Sequence, residues 1–239
     1  MPHHLDNMKT IHQHTKAVLL LLAIGLMLFS CVNDWPDKSK KGPRHYNGID
    51  VSHHQGKIDW EKVAQDTCVK FVYIKASQGA SFLDSRYKRN IKGAQKHGLK
   101  CGSYHFFTMS AKAEDQFENF KKATKGCTQD LIPVVDVELH VNSNGRHRVV
   151  LTLGNLLKMF EAEYGCKPII YCSHSSYLQI IKGDFDDYPI FIASYKSKAH
   201  IDDYHLWQFS EKGHIDGIKG YVDLDRFHKG VTLRDIELR

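Results

Sequence analysis

The chain has 239 residues, 42% of them hydrophobic and 25% charged, with a formal net charge of +6. That composition is ordinary for a globular protein, excludes a disordered chain, and can bury one large core or two small ones. The positive balance is mild. It fits an anionic cell-surface polymer as partner, and equally the solvated lysines of a tether and of amphipathic helices.

Lys9 and Lys16 precede thirteen apolar residues, Ala17–Phe29. A bilayer span needs about 20 such residues, so the run suits the apolar region of a secretory signal. It ends in LFSC, where Leu28, Ser30 and Cys31 have the pattern of a bacterial lipoprotein cleavage site. Residues 1–30 are expected to be a lipoprotein-type signal peptide, with Cys31 lipidated and the protein exported to the cell envelope on a membrane anchor. An uncleaved anchor or a plain secretory signal is the alternative. Residues 31–46 are polar, charged and carry two prolines, and read as a flexible tether.

From residue 47 to 239 one folded domain is expected. Apolar, strand-like runs fall at 48–54, 70–77, 101–107, 132–138, 168–174, 190–195, 205–210 and 220–227. Helix-like segments fall between them at 59–65, 84–98, 113–126, 148–165 and 175–185. Asp84 and Ser175 are placed to cap two of these helices, and Gly98 and Gly165 to stop two. Strands alternating with helices predict a parallel sheet with right-handed crossovers. Eight strands over about 190 residues predict a closed barrel rather than an open sheet. The last connections are too short to hold a crossover helix, which takes a dozen residues or more. The fold class is therefore α/β: a distorted TIM-like β/α barrel, five β/α units followed by three strands with short connections.

The stretch IPVVDVELH (132–140) is an apolar strand that ends in two acids, Asp136 and Glu138. Side chains two apart on a strand share a face. Asp50 ends the first strand, and Asp223 and Asp225 lie on the eighth. In a parallel barrel the strand ends converge on one mouth, so Asp50, Asp136, Glu138 and Asp223 are candidates for one site. Crowded, buried carboxyls cannot all ionise. One protonated acid beside ionised partners is what glycoside hydrolysis requires. Tyr104, Tyr171, Tyr195 and Trp207 lie near the same ends and are the candidate sugar-binding rings, because a flat apolar face with a polar tip matches a sugar. Each feature alone reads as core packing or as surface acids. The combination across several strands carries the signal. His53, His54, His105, His140 and His174 lack the fixed spacing of a metal site, so neither metal nor other cofactor is expected.

Five cysteines lie beyond Cys31, none in a CxxC pair. If their strands are neighbours, Cys68–Cys101 and Cys127–Cys166 are the disulfides an oxidising compartment would permit. Cys172, inside an apolar strand, reads as a buried thiol.

The motifs GIDVSHHQGKIDW, FVYIKAS, NIKGAQKHGLKCGSYHFF, IPVVDVE and WQFSEKGHIDGIKGYVDLDRF resemble, in order, those of the family-25 glycoside hydrolases, the muramidase class of lysozymes. The resemblance covers about 47–228. It implies the same five-unit distorted barrel and hydrolysis of the β-1,4 bond between N-acetylmuramic acid and N-acetylglucosamine in peptidoglycan. It implies that Glu138 is the general acid, that Asp136 supports the substrate's own N-acetyl group as internal nucleophile, and that Asp50 and Asp223 complete the acids. Peptidoglycan glycan strands are the expected partner, with no nucleic acid, and the protein is expected to be a monomer. Three positions depart from the family's habit: Gln78 where Glu is common, Asp225 where Asn is common, and Phe191 where an aromatic such as Trp is usual. A wall-binding protein without activity, and a glycosidase acting on another N-acetylated polymer such as chitin, are the competing readings.

Overall fold

A computed structural model describes residues 46–139, 141, 145–195, 201 and 203–239. The expected signal peptide, the Cys31 lipidation site, the tether up to residue 45 and His140 lie outside the described residues.

The sheet closes on itself. Its strands are β1 Gly48–Val51, β2 Phe71–Gln78, β3 Phe82–Leu83, β4 Lys100–Phe106, β5 Val134–Val137, β6 Ile169–Ser173, β7 Ile190–Ala193, β8 Leu206–Gly213 and β9 Val222–Phe227. They pair in the order β1-β9-β8-β7-β6-β5-β4-β2, with β1 also paired to β2 to shut the barrel and the two-residue β3 folded back on β2. The helices are α1 Trp60–Ala64, α2 Tyr87–Lys96, α3 Ala113–Thr124, α4 Arg146–Tyr164 and α5 His174–Ser176, which runs on into a π turn at Tyr177–Ile181. All eight expected strands and all five expected helices form.

Strand direction departs from expectation. The strands are not all parallel: β9 runs antiparallel to both β8 and β1. Only eight residues join β8 to β9, enough for a hairpin-like return and too few for a crossover. A smaller difference concerns Asp84. It does not cap α2, whose preceding residue Arg86 makes no side-chain cap bond; its carboxylate instead accepts from the Arg86 and His53 backbone N–H groups. The two disulfides also fail to form, and all five described cysteines are free thiols.

Period-two alternation builds two cores. Outward residues such as Val72, Ile74, Val135, Val137, Ile170 and Ile192 pack under the helices, where Phe117 and Phe120 of α3 meet Phe160 of α4. Inward residues at the lower end, Phe71, Tyr73, Leu131, Val134, Ile169, Phe191 and Leu206, fill the barrel floor together with Ile236. The last residues seal that floor from outside: Leu131 bridges Glu237, and the Ile132 N–H donates to the Ile236 carbonyl at 2.8 Å. Gly48 and Gly102 let the large rings in. A Cβ at Gly48 would stand 2.3 Å from the Phe71 ring, and one at Gly102 2.5 Å from the Tyr73 ring. At the seam between first and last strands, the Phe227 N–H donates to Asn47 Oδ1 at 2.9 Å, and the Asn47 N–H to the Asp225 carbonyl at 2.7 Å.

Candidate active site

Above the floor the same inward positions turn polar. On β2 the sequence Phe71, Tyr73, Lys75 climbs from ring to ammonium; on β5, Val134 is followed by Asp136 and then Glu138; on β8, Leu206 is followed by Gln208. All of these but Phe71 and Leu206, which stay in the floor, surround a cavity of about 230 Å³ that opens at the mouth, lined also by Asp50, Tyr104, Phe106, Tyr171, Phe191, Tyr195, Glu211 and Asp223. Asp50, Asp136, Glu138 and Asp223 thus reach one space from three strands. Asp223 gets there because β9 is reversed: register pairs it with Asp50 directly across the seam, so the start of β9, not its end, faces the mouth.

The acids differ in setting. Asp136 is buried, and its Oδ1 has no hydrogen-bond partner among the described residues. Burial, and then the Glu138 charge, hold its carboxyl well above the usual range, against the pull of Lys75. Glu138 sits exposed at the rim. Partial desolvation pushes it up too, opposed by Lys75 and by the Tyr171 hydroxyl. Asp50 is pushed up by burial and by Asp223, while a hydrogen bond from Gln208 pulls it down. Asp223 is pushed up to about 6 by burial, with Glu211 and Glu138 adding to it. The cavity therefore gathers carboxyls that hold their protons more tightly than free acids, each to a different degree, as acid–base chemistry needs.

Two polar residues that drew no notice in the sequence organise the site. Gln208 is almost fully buried. Its amide N–H donates to Asp50 Oδ2 at 2.6 Å, and its Oε1 accepts from the hydroxyls of Tyr171 at 2.8 Å and Tyr195 at 2.6 Å. Lys75 donates to Gln78 Oε1 at 2.9 Å and lies over the Phe106 ring. Its neutral partner Gln78 leaves the ammonium to face Asp136 and Glu138, and those charges with Asp84 support it against burial. Strand alternation alone would have found both, since each sits two residues beyond an apolar inward neighbour.

Of the ring candidates, Tyr104, Tyr171 and Tyr195 line the cavity. Trp207 does not. Leu206 and Gln208 face in, so Trp207 must face out, where its indole N–H donates to the Ser194 carbonyl and its ring packs beneath the Arg226 guanidinium. The departure at Phe191 is a floor residue, stacked edge-on against Tyr171.

Comparison with known proteins agrees with this geometry. The sequence pattern described as glycosyl hydrolases family 25 matches residues 49–218. YegX of Escherichia coli (strain K12) is 34% identical over 189 residues, 76% of this chain and 69% of YegX. The autolytic lysozyme of Clostridium acetobutylicum is 32% identical over 192 residues, 78% of this chain but only 57% of that protein. Among solved structures, a family 25 glycosyl hydrolase from Bacillus anthracis superposes with a TM-score of 0.69 at 31% identity, covering 78% of this chain and 94% of that one. A lysozyme from Streptomyces coelicolor gives 0.69 at 25% identity over 81% and 96%. With its barrel, its mouth of acids and the matched span together, the chain belongs to glycosyl hydrolases family 25 and is a glycosidase.

Proposed function

We propose that the chain is a peptidoglycan muramidase, cleaving the β-1,4 bond between N-acetylmuramic acid and N-acetylglucosamine, with Glu138 as general acid and base. The observation that carries the reading is the pair at the end of β5: an exposed acid at the rim, and two residues inward a buried one that lines the cavity. Glu138 gives its proton to the leaving glycosidic oxygen. The acetamido carbonyl oxygen of the same sugar attacks the anomeric carbon as that bond breaks. Asp136, whose carboxyl lines the cavity, accepts from the acetamido N–H and balances the positive charge that develops there. Glu138 then takes a proton from water, whose oxygen attacks the anomeric carbon and restores the acetamide. Attack from opposite faces in turn returns the β configuration. Asp50 and Asp223 shape the field of the site, and Tyr104, Tyr171 and Tyr195 offer rings and hydroxyls to the sugar. The lysozyme names of relatives support the substrate. Export to the cell wall, on a lipid at Cys31, would bring the enzyme to it.

The test is release of muropeptides from purified peptidoglycan by residues 32–239, beside Glu138→Gln. Products with reducing N-acetylmuramic acid ends, lost in the variant, support the reading. Binding to the wall without release by either protein would replace it with the non-catalytic one, and release from chitin alone would move the substrate.

A further inference from the structure

Beneath the four acids lies a fifth carboxyl that the mechanism does not use. Asp225 faces inward on β9, two residues below Asp223, and is fully buried. Register places it beside Gly48 on one side and Gln208 on the other. Neither of its carboxyl oxygens has a hydrogen-bond partner among the described residues when both are taken as acceptors. The donors around it turn elsewhere. The Gln208 amide goes to Asp50 Oδ2, the Tyr73 hydroxyl to the Ile132 carbonyl, and the Arg226 guanidinium lies on the outer face over Trp207 and Phe209. The titratable groups facing Asp225 are Asp50 from β1, Asp223 from its own strand and Tyr73 from β2. None is a cation.

An ionised carboxylate in that position would be buried, unpaired and beside two other acids, the costliest arrangement for such a group. A proton removes the problem, because the carboxyl then has an O–H to donate, and Asp50 is in contact to accept it. We propose that Asp225 stays protonated in the working protein and donates its O–H to Asp50, so that it acts as a neutral positioning residue, doing with an acid what an amide would do. Asp50 is then gripped from two sides, by Gln208 and by Asp225, and it carries the single charge of the pair. Burial, followed by the charges of Asp50 and Asp223, pushes Asp225 in the same direction, and its hydrogen bond to Asp50 lowers Asp50 while raising Asp225. The asymmetry has a plain cause: Asp50 already accepts from Gln208, whereas Asp225 has no donor among the described residues.

Only the kinetic arm of the test rests on the muramidase reading. Asp225→Leu, similar in size with no donor, is expected to lower kcat about tenfold or more, the loss of one charge-assisted hydrogen bond. Asp225→Asn is expected to recover most of that loss and to leave the acidic limb of the pH profile where the wild type has it, since it removes no charge. Two further arms need no substrate. The infrared absorption of protonated carboxyls at neutral pH should lose one band's intensity from the wild type to Asp225→Asn, the other raised acids keeping theirs. The melting temperature of Asp225→Asn should match the wild type in acid and exceed it increasingly as pH rises, because the raised carboxyl resists ionising in the fold. A displaced acidic limb in Asp225→Asn, no lost intensity, or equal impairment of the Asn and Leu variants would each overturn the proposal. If neither wild type nor variants release product while the intensity loss and the melting trend appear, the muramidase reading fails and the assignment of the proton stands.

Discussion

The barrel interior has two halves made by the same strands, and they answer to opposite demands. The floor is dry and apolar, with Phe71, Leu131, Ile169, Leu206 and Ile236 in contact. The mouth, one or two inward positions higher, carries Asp50, Lys75, Asp136, Gln208 and Asp223 around open space. Moving two residues along a strand changes the job from stability to chemistry. The lower half is free to be well packed because nothing must bind there. The upper half keeps an unpartnered carboxylate oxygen and pushed-up carboxyls, which oppose folding and which only a rigid base can hold in place.

Substitutions in each half should therefore fail in different ways. The largest effect is expected from Glu138→Gln. Removing the proposed general acid should lower kcat by about a hundredfold to ten-thousandfold, while a thermal melt shows the fold intact. A comparable loss of stability from Glu138→Gln would erase the contrast between the halves. Phe71→Ala, in the floor, should do the reverse. Deleting a fully buried ring is expected to destabilise by about 3–5 kcal/mol, read in urea unfolding, with the specific activity of the folded fraction nearly unchanged. Gly102→Ala should cost about 1–3 kcal/mol, because the new methyl meets the Tyr73 ring and Leu131 at once. Denaturant midpoints would show it, and a neutral result would mean the floor rings can retreat.

The smallest effect concerns pH. The carboxyl of Asp223 is pushed up to about 6 in the fold, against about 3.9 in an unfolded chain. A raised acid favours the folded state while it keeps its proton, so this contribution is whole below about pH 4 and is lost as pH rises through about 6. Asp223→Asn does not titrate there. It should match the wild type in acid and be more stable by about 1 kcal/mol above neutrality, allowing for solvent at a half-buried group. Paired melts across that range would check the sign, and a variant less stable at high pH would contradict it.

Much of this arrangement could be read from residues. Apolar runs marked every strand except the two-residue β3, and amphipathic segments between them marked the helices. The acids at strand ends were visible because carboxyls after an apolar run such as IPVV are unusual. What escaped was set by neighbours distant in sequence. Nothing in VDLDRF says which way that strand runs; its direction follows from pairing β8 on one side and β1 on the other. Trp207 drew attention as a ring, yet the face it occupies is fixed by Leu206 and Gln208. Gln208 itself matters through Asp50, 158 residues away. The thiols of Cys68, Cys101, Cys127 and Cys166 looked pairable from strand order alone, but pairing needs Cβ atoms that point at each other.

The seam between β1 and β9 has a further consequence. Asn47 and Phe227, joined there by a hydrogen bond, are 180 residues apart in the chain. Five helical crossovers can form from local contacts as the polypeptide lengthens, but the ring of strands stays open along one side until β9 exists to fill it. Such long-range closure is slow compared with local helix formation. A nascent chain halted before β9 would present two bare sheet edges, at β1 and β8, and so a ready target for chaperones. Until that late strand arrives the acids of the mouth also stay incomplete, since Asp223 comes with it, and the gap should keep an unfinished molecule from acting on its substrate.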